Sequence, residues 1–253
     1  MPLTFAHPAA VLPFSRKSRY IHFSALVFGS MAPDFEYFLR GRPIGDIGHT
    51  FTGFAWFNLP LVILTYFIYR IFVHETLFNH LPNCLQDSHT KREHSNGIVK
   101  AVIFCYSALF GMLTHVIWDS FTHINGYMVV KFPEFFTFNT TIYGFSIPLY
   151  KFLQHGSTLV GLTIILIYIY VSALSQRNHK GMHVSFKNKL VFWSSLSLLA
   201  VVFLFLWYLM DYISITSYGI VVVRWIDSFL LSLLVSSLVI KHIVPWMKNI
   251  ISR

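Results

Sequence analysis

The sequence predicts an all-α fold, a polytopic membrane helix bundle with about five transmembrane helices plus a short non-spanning N-terminal helix. Three observations carry that prediction. Hydrophobic residues make up 55% of the 253 and charged residues only 11%, against roughly 25% charged in an ordinary soluble domain. The mean hydropathy is +0.59. Five runs reach the roughly 20 predominantly apolar residues needed to cross a bilayer.

In chain order, the first apolar stretch, Ile21–Leu39, is interrupted by Gly29, Ser30, Pro33, Asp34 and Glu36. It reads as a short helix, buried in the bundle or lying at the interface, that ends near Pro33. The spans are expected at about 51–73, 98–117, 157–174, 190–210 and 218–240. Residues 74–97 are polar, with Lys91, Arg92 and Glu93, and read as a solvated loop. Residues 125–154 are aromatic and punctuated by Gly126, Pro133, Gly144 and Pro148, as expected of a loop lying over the membrane surface. The segment 175–189 is polar and basic, and the short link 211–217 makes the last two spans an antiparallel pair. The chain divides into a metal-site helical domain, 1–174, and a C-terminal membrane hairpin, 175–253.

The formal net charge is +9. The basic residues flank apolar runs, as with Arg16, Lys17 and Arg19 or Lys187 and Lys189, which is the pattern of cationic anchors beside lipid headgroups. The expected partner is therefore membrane lipid and not nucleic acid. Cys84 lies in a polar loop and Cys105 in an apolar run, so neither a disulfide nor a cysteine metal site is expected. No cleavable signal peptide is expected.

Ionisable residues next to membrane helices are costly and each needs a reason. His115, Asp119 and His123 are spaced i, i+4, i+8 at the end of the second span, which puts them on one helix face. Imidazoles and a carboxylate at one-turn spacing suit zinc or another divalent first-row metal. His49 precedes the first span and His155 the third. Counting crossings places His49, His115, Asp119, His123 and His155 at one membrane face. His7 and Asp34 join them if the first helix does not cross. Each of these histidines also has a purely structural reading as an interfacial or helix-capping group. His22, His74, His80, His89, His94, His179, His183 and His242 show no such convergence, and Glu36 and Asp46 read as solvated. Arg224 and Asp227, spaced i, i+3 inside the last span, are expected to pair.

Four strings, Thr4-Phe5-Ala6-His7-Pro8-Ala9-Ala10, Gly29-Ser30-Met31-Ala32-Pro33-Asp34-Phe35-Glu36-Tyr37, Thr114-His115 with Trp118-Asp119, and Leu153-Gln154-His155-Gly156-Ser157, resemble an uncharacterised bacterial integral-membrane family, domain of unknown function 4184. More distantly, the order of histidines and aspartates is similar to membrane-bound metal-dependent hydrolases and to the zinc-dependent phospholipase C and single-strand nuclease superfamily. That similarity implies a helical site for up to three zinc ions that cleaves phosphate esters. Asp34, His49, His115 and Asp119 would hold one metal, His7 would join a bridging Asp119 at a second, and His123 with His155 would hold a third. The soluble enzymes carry an acidic residue one turn after the last histidine, where this chain has Leu159, and use a processed N-terminal amine, where this chain begins Met1-Pro2.

The expected function is a membrane-embedded metal-dependent hydrolase of a phosphate ester, with a lipid headgroup among the candidate substrates. Asp119 and His115 are the candidate catalytic pair, and Thr114 or Thr122 would steady the imidazoles. The alternative is a non-enzymatic membrane protein that binds or moves a metal or proton, or is structural. The location expected is the bacterial inner membrane. Basic residues between the third and fourth spans and after the fifth put the C-terminus in the cytoplasm, whereas those in the first 50 residues argue the opposite.

Overall fold

The computed structural model describes residues 3–14, 16, 18–86, 97–142, 144–175 and 184–243. Lys17, His89, Lys91, Arg92, Glu93, His94, His179 and His183 lie outside them. Among the described residues the protein is all-α apart from one two-stranded hairpin, and five helices are long and apolar enough to span a membrane: Phe51–His80, Gly97–Thr122, Leu149–Ser175, Phe186–Met210 and Tyr218–His242. This is an integral membrane architecture. At 1.5 Å per residue the 26-residue second span reaches about 39 Å, more than a hydrocarbon core of about 30 Å.

In chain order the helices are α1 (Phe23–Met31), α2 (Phe35–Arg40), α3 (Phe51–His80), α4 (Gly97–Thr122), α5 (Tyr127–Lys131), α6 (Pro133–Phe136), α7 (Leu149–Ser175), α8 (Phe186–Met210) and α9 (Tyr218–His242). Strands β1 (Asn139–Ile142) and β2 (Phe145–Pro148) pair antiparallel between α6 and α7. Contacts divide the chain into one compact unit of residues 1–35, 46–63 and 93–171, and another of residues 36–45, 64–92 and 172–253.

In the first unit, the N-terminal segment Thr4–Val11 forms a buried 3-10 helix. Nine residues of α1 extend only about 13.5 Å, too short to cross. Helix α1 ends at Met31, two residues before Pro33, as expected. A 3-10 turn at Ala32–Asp34 carries the chain straight into α2, because a proline at the first turn of a helix loses no hydrogen bond that the helix would have made. Helices α1 and α4 pack backbone to backbone. A β-carbon on Gly29 would overlap the Ala108 carbonyl, and one on Gly111 would overlap the Leu26 carbonyl and the Ser30 amide. Such small-residue contacts bring membrane helices within van der Waals reach. Ala25, Ala32, Phe54, Val62, Ala108 and Met112 fill the core around them.

The start of α3 is not regular. Phe54–Asn58 is a π turn. Pro60 has no N–H for the Trp56 carbonyl, and the widened turn ahead of it absorbs the mismatch. Helix α7 begins at Leu149, ahead of the expected boundary, and turns Ser157, Thr158 and Gly161 toward the N-terminal segment and α4. Thr158 Oγ1 accepts from the Leu3 amide at 3.2 Å, and Ser157 Oγ accepts from Trp118 Nε1 at 3.1 Å.

In the second unit, α8 and α9 form the expected antiparallel pair. Arg224, however, does not pair with Asp227. Its guanidinium donates to the Asp211 carbonyl at 2.7 Å and to the Asp211 carboxylate at 2.5 Å, and lies 4.9 Å from the Trp207 ring. The same Asp211 carboxylate accepts from Arg42 at 2.7 Å. Those two guanidinium hydrogen bonds hold the Asp211 carboxyl below its ordinary value. Glu36, expected to be solvated, is buried and accepts from Arg40 at 2.7 Å.

Candidate metal centre

Asp119 is the hub of the site. On α4 it follows His115 by one turn, and both side chains are buried. Its Oδ2 lies 3.2 Å from His115 Nε2 and 3.4 Å from His49 Nε2. Its Oδ1 lies 3.1 Å from His7 Nε2 and 3.4 Å from His123 Nδ1. One carboxylate thus faces four imidazoles, two on each oxygen.

The second carboxylate comes from the 3-10 turn after α1. Asp34 Oδ1 is 3.6 Å from both His49 Nε2 and His115 Nε2. Its other oxygen, Oδ2, accepts the Thr4 hydroxyl at 2.6 Å, so Thr4 leaves only Oδ1 to face the imidazoles.

Backbone carbonyls set the rings. His115 Nδ1 donates to the Ser30 carbonyl at 2.7 Å. A carbonyl can only accept, so Nδ1 carries a proton, and Nε2 is the ring nitrogen that faces the carboxylates. This bond depends on the close α1–α4 packing, since Ser30 is one residue past Gly29. The His7 ring stacks on His115 with centroids 3.8 Å apart, and its Nδ1 lies 3.3 Å from the Thr4 carbonyl. His49 sits in the loop before α3. Gly48 presses on the Pro33 carbonyl so closely that a β-carbon would overlap it, and Asn58, from the π turn, donates to the Gly48 carbonyl at 2.6 Å. Those two contacts bring His49 beside Asp34.

The residues present fit a divalent cation. Ligand atoms of Asp34, His49, His115 and Asp119 all lie within 4.8 Å of one another. A tetrahedral ion with ligands about 2.1 Å away requires ligand–ligand separations of about 3.4 Å, and the four N···O separations are 3.2, 3.4, 3.6 and 3.6 Å. Asp34 Oδ1 and His115 Nε2 are buried and make no hydrogen bond among the described residues. They stand 3.6 Å apart, beyond hydrogen-bond distance, and a buried polar atom with no partner is expensive. The two carboxylates carry the charge that a dication would balance.

Six of the seven residues singled out as ligands, His7, Asp34, His49, His115, Asp119 and His123, are linked by these contacts. His155 is not. It is exposed on α7, one residue after the buried Gln154 and therefore about 100° around the helix from the packed stripe. His123 lies just past α4, its amide donating to the Asp119 carbonyl at 3.1 Å. Burial holds its imidazole below its ordinary value against the opposing charge of Asp119. Thr114 bonds to the Gly111 carbonyl in its own helix and not to a ring, whereas Thr122 Oγ1 is 3.3 Å from His123 Nδ1. Thr4, Ser30 and Asn58 were not anticipated. The sequence signal available was Asn58 itself, a buried amide inside an apolar span.

Thr4→Val would keep the shape of the side chain and remove the hydroxyl that holds Asp34. Lost supporting hydrogen bonds of this kind weaken metal affinity about 10–100-fold. Zinc titration of chelator-stripped protein is expected to show a loss in that range with the fold unchanged.

No curated protein and no solved structure matches the chain. The model of a family described as a domain of unknown function (DUF4184) matches residues 1–243, a range that takes in the site and all five spans, and the chain belongs to that family.

Proposed function

We propose that this protein is a membrane-embedded, metal-dependent hydrolase of phosphate esters, lipid-linked ones included. The observation that carries the reading is the convergence of Asp34, His49, His115 and Asp119, with buried Asp34 Oδ1 and His115 Nε2 making no hydrogen bond among the described residues. These four residues would hold a divalent ion, zinc by the nitrogen and oxygen donor set. When bound, such an ion polarises a phosphoryl oxygen and acidifies water.

The chain's own groups divide the remaining work. His115 and Asp34 close the site from behind, and their ring and carboxylate orientations are held by Ser30 and Thr4. His49 and His123 are each 26% exposed at the side chain, so substrate would enter from their side. Asp119 would position the attacking water through one oxygen while the other stays with the His7 and His123 pair. The protein would lie in the bacterial inner membrane with its C-terminus in the cytoplasm. Five crossings would then put the site at the outer face.

The test is hydrolysis of p-nitrophenyl phosphate diesters and of short-chain phospholipids by protein purified in detergent with added zinc. Activity is expected to vanish on chelation, return with zinc, and fall at least about 100-fold in His115→Ala, since losing a ligand costs more than losing a ligand's hydrogen-bond partner. Equal rates in wild type and variant, with and without chelator, would overturn the reading.

A further inference from the structure

Between α4 and α7 the chain runs through two helices of five and four residues, each far too short to cross a bilayer. Both ends continue directly into spans, so the segment begins and ends at the same membrane surface.

Its side chains are sorted in an unusual way. Val129 and Phe136 point inward and are buried, and the Phe136 ring meets Phe121 of α4 at 6.2 Å. The opposite surface is apolar. Ile124, Tyr127, Val130, Phe132, Phe135 and Phe138 are each 51–66% exposed. That degree of exposure matches the lipid-facing residues of the spans, such as Leu159 at 69% and Leu166 at 65%. Lys131 lies among these aromatics, 5.5 Å from the Tyr127 ring and 5.7 Å from the Phe132 ring. Aromatic rings interleaved with a lysine are the pattern of a headgroup-level anchor. The hairpin that follows exposes polar side chains, those of Asn139, Thr141 and Ser146.

We infer that residues 124–138 lie in the headgroup region of the host bilayer, with the aromatic surface of α5 and α6 inserted and the β1–β2 hairpin in water. The occupant of this surface is lipid and not another protein, because the segment is covalently continuous with two membrane spans and cannot leave the bilayer surface. The anchor starts next to the metal centre. The Gly126 amide donates to the His123 carbonyl at 2.8 Å, and Gly126 packs against the Asp119 carbonyl. Insertion would therefore hold the His123 side of the site at headgroup depth. The inference stands whether or not the site is a hydrolase.

Site-directed spin labelling tests it. A nitroxide is attached at Tyr127→Cys, Phe135→Cys or Thr141→Cys, each in a chain carrying Cys84→Ala and Cys105→Ala and reconstituted in phosphatidylcholine nanodiscs. Oxygen concentrates in the bilayer and a nickel chelate stays in water. The oxygen-to-nickel collision ratio is expected to be several-fold higher at 127 and 135 than at 141. A ratio at 127 and 135 no higher than at 141 would place the aromatic surface in water and overturn the inference.

Discussion

Asp119→Ala is expected to abolish metal binding and lower any metal-dependent activity by at least about 100-fold, because losing a ligand outright exceeds the 10–100-fold cost of losing a ligand's hydrogen-bond partner. The size of the effect follows from the geometry. Asp119 faces His115 and His49 through one oxygen and His7 and His123 through the other, so its removal strips the shared anion from four imidazoles at once. His7 and His115 are almost completely buried and would be left stacked on one another with a single carboxylate, Asp34, nearby. Asp119→Asn separates charge from shape. The amide keeps the volume but offers one acceptor oxygen in place of two and carries no charge. It is expected to bind metal far more weakly than wild type while remaining folded. Isothermal titration with zinc, beside circular dichroism of each variant, checks both statements.

The second large effect is expected away from the ligands. Gly111→Ala adds one methyl group where α1 and α4 touch backbone to backbone, against the Leu26 carbonyl and the Ser30 amide. Overpacking of this kind costs about 1–3 kcal/mol and sometimes more. Relief requires α1 to move off α4, and that displacement carries the Ser30 carbonyl away from His115 Nδ1. Thermal stability and metal affinity should therefore fall together. Gly156→Ala is the control. Nothing lies within 4 Å of its added β-carbon, and alanine at an open helical position is neutral or stabilising by about 0.4–1 kcal/mol. A Gly111→Ala protein as stable as Gly156→Ala would mean that the α1–α4 contact is looser than described.

The membrane character and the number of spans are legible in the sequence because they depend on composition and run length alone. The grouping of His115 with Asp119 is legible for a similar reason, since one-turn spacing survives whatever surrounds the helix. The parts that were not legible depend on groups that sequence does not distinguish. The Ser30 and Gly48 carbonyls, which set His115 and the His49 loop, are backbone atoms that every residue owns. The π turn at Phe54–Asn58 follows from Pro60, yet its consequence, an amide turned onto the Gly48 carbonyl, needs the tertiary fold. Arg224 has Asp227 at the right helical spacing but takes Asp211, which offers a carbonyl and a carboxylate together. His155 shows the limit of counting crossings. A residue can be at the right membrane face and on the wrong side of its helix.

The most direct measurement is the metal content of protein purified in detergent without added metal, by inductively coupled plasma mass spectrometry, alongside its thermal stability before and after chelation. A divalent ion at one or more per chain is expected, lost in His115→Ala. Stripped protein should regain about 2.7 kcal/mol when zinc is restored to a hundred times its dissociation constant. Metal-free protein whose stability responds to neither chelator nor zinc would contradict a metal centre at Asp34, His49, His115 and Asp119.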